Sequence, residues 1–326
     1  MSPPEVRAMA YVPPWSGSGK GNLENLIEHT IVEQGFRDPF VTQYARWAGN
    51  LLRGDWGFSI VMKDEVLDVL LSRTPATVEL LLFSLLLFVP LGLISGVAAG
   101  WKRGTRTDFG FRSTAFIATS FPPFVLGLML LAIFYIGLHW FLPGRLSPTI
   151  SMDVNSAEFN NITGLVMIDG LLNLRPDVTV DAIRHLLLPA ITLGLTYWAV
   201  LGRITRAAMI EELNQDYVMT AKGKGLKMRQ VVWQHAFRNA MVPGLSSIAL
   251  SAAMFLTVAF VVEIIFDYPG LSRPLTGSAQ QWWVSPDVDL AMGFAVYSAL
   301  LVLPLMFILD VILAIVDPRI RDGVSE

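Results

Sequence analysis

Five long apolar runs dominate this chain, and each is longer than most elements of a soluble core. They lie at roughly Thr77–Gly100, Ser113–Leu138, Leu186–Ile204, Gly244–Phe266 and Met292–Val316. A bilayer's hydrocarbon core is about 30 Å thick and takes about 20 apolar helical residues to cross, so each run reads as a membrane span. Long buried helices of a soluble protein are the alternative, but five such runs in one chain are too many for it. Composition agrees, with 53% hydrophobic residues and a mean hydropathy of +0.52. The fold class that follows is all-α, a polytopic transmembrane helical bundle. Pro90, Pro122, Pro123 and Pro304 are read as lying inside spans, where neighbouring helices re-satisfy freed carbonyls.

Charge in the connections sets the orientation. Trp101–Arg112 carries Lys102, Arg103, Arg106 and Arg112 against Asp108 alone. Arg203–Arg238 carries seven basic residues against three acids. The alternate connections reverse this: His139–His185 has three arginines against five acids, and Asp267–Ala291 has only Arg273 against three. Short loops rich in Lys and Arg stay in the cytoplasm. The stretch 205–243 and the tail 317–326 are therefore expected there, and residues 1–75 on the opposite side. Moving a polar segment of that length across requires a preceding helix or an N-out route. The favoured reading is that a first helix is missing from this version of the chain.

Residues 1–75 read as ordered. Phe40–Ile60 has Tyr44, Trp47, Leu51 and Leu52 at helical spacing, followed by Gly54 and Gly57 as a stop. Val66, Leu67, Leu70 and Leu71 share one face of a surface helix leading into the first run. Asn161–Thr163 matches a glycan acceptor, a pattern too short to carry weight.

Several chemistries fall away. The absence of cysteine excludes disulfides, thiolate metal sites and thiol nucleophiles together. A net charge of −3 supplies no overall basic field for nucleic acid. Trp15–Asn22 (WSGSGKGN) resembles a phosphate loop, but Pro14 stands where the first Gly belongs and Gly21 follows Lys20. His29, His139, His185 and His235 show no ligand spacing, and His139 and His185 are expected at a membrane interface. Glu79 and Glu263 sit near span ends, within reach of headgroups, and Asp310 about two turns from a span end can pair with Arg319 or a partner chain.

The stretch Glu211–Pro243 stands apart as polar, basic and rich in helix formers between two apolar runs. DYVMTAKGKG reads as a short helix with Asp216 at its positive end and Gly223 and Gly225 closing it. LKMRQVVWQHAFRNA reads as a second helix with Trp233, Phe237 and Ala240 on one stripe, and Pro243 marks entry to the fourth span. A solvated hairpin is the plain reading. Small residues at the turn and a basic edge make it a compact knob suited to a partner's groove.

Ala221, Gly225 and Pro243, embedded in LNQDYVMTAKGKGL and HAFRNAMVP, resemble the EAA loop of ABC importer permeases, and more narrowly the dipeptide/oligopeptide/nickel permease family. QYARWAGNLLRGDWGFSI, SFPPFVLGLMLLAIF, HLLLPAITLGL and FDYPGLSRPL resemble that family's phrasing too, so the likeness spans most of the chain. The resemblance implies a type I importer permease with a core of about six spans, one more than read here. It implies an extracytoplasmic segment at 1–75, a transmembrane permease domain at 76–316 with a coupling loop at 205–243, and a cytoplasmic tail at 317–326. It assigns ATPase coupling to Asp216, Tyr217, Thr220, Ala221, Lys222, Gly223, Gly225, Leu226 and Pro243. The implied partners are a homologous second permease, two ATPases that bind the ATP, an extracytoplasmic binding protein and membrane lipid. No cofactor, catalytic residue or metal is expected in the chain itself. The substrate stays open between peptides, nickel and short oligosaccharides. A proton-coupled carrier and a membrane scaffold are the readings from other classes.

Overall fold

The computed structural model describes residues 4–9, 11, 20–277 and 287–316. The phosphate-loop-like stretch Trp15–Asn22 lies largely outside them, as do the Asp310 side chain and the tail 317–326. The chain is mostly helical: α1 (Pro4–Met9), α2 (Lys20–Gln34), α3 (Phe40–Leu52), a two-stranded antiparallel ribbon β1 (Phe58–Ser59) and β2 (Asp64–Glu65), then α4 (Val66–Trp101). There follow α5 (Arg106–Ser120), α6 (Pro123–Leu131) with a π-helical extension to Gly137, α7 (Pro148–Val154), α8 (Val166–Leu172) and α9 (Pro176–Glu212). The remainder is α10 (Asp216–Gly223), α11 (Met228–Gln230) with a π segment Val231–Ala236, α12 (Phe237–Ile265), α13 (Arg273–Gly277) and α14 (Val288–Val316).

Two compact units emerge, Met1–Arg73 with Arg273–Ser298, and Thr74–Ser272 with Ala299–Glu326. In the first, Ile27 and Ile31 of α2 pack with Ala8 and Phe36. The buried Asp287 carboxylate accepts from Ser59 Oγ at 2.7 Å and from the backbone N–H of Leu290 at 3.0 Å, so it caps the start of α14 and pins the ribbon. Val66 and Leu70 of α4 are fully buried here, whereas Leu71 is 49% exposed. The buried stripe is therefore Val66, Val69 and Leu70, not the four-residue face that spacing suggested.

Among the described residues, three helices are long and apolar enough to cross a membrane: α4, α9 and Val288–Ile308 of α14. The expected fourth span falls within the 29-residue α12. The expected second span, Ser113–Leu138, is not one helix. It breaks between α5 and α6 with a bend of 97°. Phe121 precedes a proline and is driven to extended backbone (φ −109°, ψ 136°). Pro122, itself before a proline, holds ψ near 143°. Pro122 and Pro123 thus stop one helix and start the next, so this run is bent rather than a single straight helix.

In the second unit α9 is the hub. Its most apolar stretch is 61% buried, against 39% for α4 and 6% for that of α14. Leu186, Ala190 and Leu193 of α9 meet Phe255, Ala259 and Val262 of α12 and Leu80 of α4. Gly92, Gly96 and Gly100 of α4 form a small-residue row at i, i+4 and i+8 that lets the α9 backbone approach closely. A Cβ on Gly96 would lie 2.6 Å from the carbonyl oxygen of Gly202, and one on Gly100 would lie 2.9 Å from that of Arg206. At Gly194 the Phe88 ring occupies the space a side chain would need.

Buried charges tie the connections to this bundle. Glu79 and Glu263 are 2% and 1% exposed, enclosed by protein near the ends of their apolar runs. Glu79 Oε2 accepts from Arg145 Nε at 2.8 Å and Nη2 at 2.6 Å and from Tyr268 Oη at 3.2 Å, while Oε1 takes the Met167 N–H at 2.6 Å. Burial holds the Tyr268 phenol well above its ordinary range, so it remains a donor. Glu263 accepts from Thr77 Oγ1 at 2.5 Å and from both the N–H and hydroxyl of Ser272 at 2.9 and 2.8 Å. Asp108, read as a loop charge, is 2% exposed and takes a two-pronged bond from Arg206 of α9 at 2.6 and 2.9 Å. His185 is likewise 2% exposed inside α9, because that helix begins at Pro176 rather than near Leu186.

Two expectations follow for unfolding of the detergent-solubilised protein. Gly96→Ala forces a methyl against backbone and should cost about 1–3 kcal/mol, whereas Gly110→Ala, with open space around it, should cost nothing. Arg145→Ala leaves Glu79 buried without its cation and should cost about 3–5 kcal/mol; an unchanged melting temperature in either damaging variant would refute its assignment.

Candidate functional site

The polar stretch between α9 and α12 folds as a compact knob. Leu213, Asn214 and Gln215 turn the chain, and α10 starts with the exposed Asp216 in its first turn, where the helix dipole favours an acid. Lys222 stands in its last turn, where the dipole favours a cation. The helix ends in a Schellman closure: Leu226 N–H bonds Ala221 O at 3.3 Å and Gly225 N–H bonds Lys222 O at 2.9 Å. Gly225 adopts φ +81°, a conformation that strains any L side chain. Gly223 is still helical, and a Cβ there meets nothing within 4 Å. Only Gly225 therefore closes the helix; Gly223 contributes bareness at the surface.

The knob has an anchored face and an open one. Val218 is fully buried and Ala221 is 9% exposed, packed with Val231 and Leu213. Asp216, Thr220, Lys222, Gly223, Gly225 and Leu226 are exposed, as are Lys224 and Lys227, which makes the outer edge basic. Thr220 Oγ1 is taken up by the carbonyl of Asp216 at 3.0 Å. Tyr217 Oη donates to Glu212 Oε2 at 2.6 Å, and Asn239 Nδ2 reaches the same oxygen at 3.4 Å. Burial, then the Glu212 contact, pushes the Tyr217 phenol up to about 12, so it stays a donor at neutral pH. Glu212 closes α9 and Asn239 lies near the start of α12, so one carboxylate joins three helices.

Eight of the nine residues expected at this site, Asp216, Tyr217, Thr220, Ala221, Lys222, Gly223, Gly225 and Leu226, are brought together on the knob. Pro243 is not: it lies inside α12. The second helix of the stretch does not end before the apolar run. It passes from α11 through the π segment into α12 without a break, with Val232, Ala236 and Ala240 buried against Val97 and Met209. Residues 205–212 and 237–243 are thus helix ends rather than loop. Glu212, Leu213, Val231 and Asn239 were missed as site residues; Glu212 is visible in sequence only as one of two adjacent acids.

Comparison with known proteins bears on this geometry. Residues 89–322 match the family described as binding-protein-dependent transport system inner membrane component. The oligopeptide transport system permease protein AppB of Bacillus subtilis (strain 168) is 35% identical over 295 residues, 90% of this chain and 84% of that protein. The di/tripeptide transport system permease protein DppB of Pseudomonas aeruginosa (strain UCBPP-PA14) is 36% identical over 88% of this chain and 82% of its own. The dipeptide transport system permease protein DppB of Escherichia coli (strain K12) is 33% identical over 89% and 84%. With a family match across most of its length, the chain belongs to the inner membrane components of binding-protein-dependent transport systems.

Proposed function

We propose that this chain is the permease subunit of a peptide importer and that α10 is the coupling helix through which ATPases on other chains drive it. Membership in the family brings ATPase and substrate-binding partners in general, and the chain is a transport component rather than an enzyme. The peptide substrate rests on what the similar proteins are named for. The finer assembly proposed is one homologous permease, two ATPases and one extracytoplasmic binding protein. In it α10 and the C-terminus face the cytoplasm and residues 1–75 lie on the other side.

The observation that carries the coupling role is the division of the knob into a buried face fixed on α9 and α12 and an exposed face of small and basic residues. A push on that face cannot be absorbed locally. Val218 and Ala221 bear on Val231 and Leu213, and the Tyr217–Glu212 bond ties α10 to the end of α9. Since α9 packs along α12 through Leu186, Ala190, Phe255 and Val262, displacement of α10 moves the bundle's central pair. Packed helices shift between discrete arrangements rather than deforming continuously, which suits a switch between two accessibilities.

Gly223 gives the cleanest test, since a side chain there meets nothing in this chain. Gly223→Glu should leave membrane levels unchanged while lowering peptide uptake and ATPase co-purification at least about tenfold, roughly one lost charge-compatible contact. Wild-type uptake in that variant would refute the assignment. Ala221→Glu is a poorer test, because Ala221 is buried and the variant disturbs the knob itself. Tyr217→Phe removes a bond of about 1 kcal/mol. It should lower uptake per ATP hydrolysed while sparing hydrolysis, and an unchanged ratio would count against transmission through Glu212.

A further inference from the structure

The unit formed by Met1–Arg73 and Arg273–Ser298 contains a cavity of about 740 Å³ that the transport cycle above does not use. That volume lies within the range of about 300–1,000 Å³ usual for small-molecule sites. Its wall comes largely from the turn Arg53–Phe58, with Trp47 and Asn50 of α3 on one side and Glu65 and Asp289 beside it.

Two positive-φ glycines build this turn, Gly54 at +91° and Gly57 at +85°. At Gly57 the left-handed backbone and a Cβ position only 3.1 Å from the Asp289 side chain both favour a bare wall. Asp289 accepts from Tyr11 Oη at 2.7 Å, and the Asp55 carboxylate is held by the Gly57 N–H at 3.1 Å. The Arg53 guanidinium and the Glu65 carboxylate, by contrast, have no side-chain partner among the described residues. The cavity thus offers an uncommitted cation and an uncommitted anion in a lining that also holds the indoles of Trp47 and Trp56.

From this juxtaposition we infer that the cavity binds a short zwitterionic peptide, its terminal carboxylate on Arg53 and its terminal ammonium at Glu65. A guanidinium matches a carboxylate with two parallel bonds, and indole faces accept both apolar side chains and ammonium groups. The inference rests on the peptide reading of the transporter and extends it to a second place where the substrate is held. The comparisons add an independent point. The general family match begins at residue 89, beyond most of the cavity wall. Relatives named as oligopeptide and dipeptide permeases match 90% and 89% of this chain, so their likeness necessarily runs through residues 36–67. The segment that builds the cavity is therefore shared with peptide permeases and lies outside the common transport core.

The test uses the complete permease–ATPase complex in lipid nanodiscs without binding protein, titrated calorimetrically with alanyl-phenylalanine and with its N-acetylated, C-amidated form. Alanyl-phenylalanine should bind saturably. Arg53→Ala and Glu65→Gln should each weaken it about tenfold or more, as loss of a charge-assisted bond implies. The doubly capped peptide should bind weakly to all three proteins alike. Absence of binding, equal binding by the variants, or equal binding of the capped peptide would overturn the inference. So would a result in which Arg53→Ala alters only capture of the binding protein, since that marks a protein contact. Uptake measured with binding protein on the same complexes separates the two readings: peptide import with a silent cavity sinks this inference alone, and no peptide import sinks the substrate assignment.

Discussion

The close approach of α4 and α9 is the constraint from which the rest of the transport unit follows. At Gly96 the two backbones are too near for a single methyl group, and Gly92, Gly100 and Gly202 extend the contact along both helices. In lipid there is no hydrophobic gain from helix association, so close packing and satisfied polar groups must supply it. With α4 fixed on one side, α9 presents Leu186, Ala190 and Leu193 to α12 on another, and α5 locks on through Asp108 and Arg206. The hub is then surrounded, and its C-terminal end carries the knob as a rigid continuation.

Charge does the second part of the work, at the opposite end of the same helices from the knob. Glu79 and Glu263 bind backbone N–H groups of the long connections, and Arg145 and Tyr268 neutralise or complete the Glu79 site. A buried carboxylate is costly unless fully bonded, so each specifies one arrangement of its loop rather than adding large stability. Gly270 fits beside Glu263 because any Cβ would strike the carboxylate. The bundle is thus held by bare glycines along its length and by bonded carboxylates at one end, leaving the exposed face of α10 free of internal duties.

Much of the fold is legible in the sequence. Apolar run length located α4, α9 and α14, and the alternation of Gly and polar helix formers located α10 and its closure at Gly225. Eight of nine site residues fell together because a short helix keeps sequence neighbours adjacent in space. Pro243 separated from them because proline can sit within a helix whose neighbours satisfy the freed carbonyl, so it ends no helix. The second run bends for the opposite reason: two successive prolines constrain the residues before them, and Phe121–Pro122 cannot stay helical.

Sequence by itself determined the solvent of this protein, its helical class, the polar knob and its bareness, since these depend on local composition and on turn geometry within a few residues. Only the tertiary structure decided which charges are buried, that Glu212 joins three helices, that the glycine row of α4 faces Gly202, and that Arg53 and Glu65 share one cavity. Such pairings join residues far apart in the chain. Their energies come from shape and desolvation at the point of contact, which no periodicity along a single segment records.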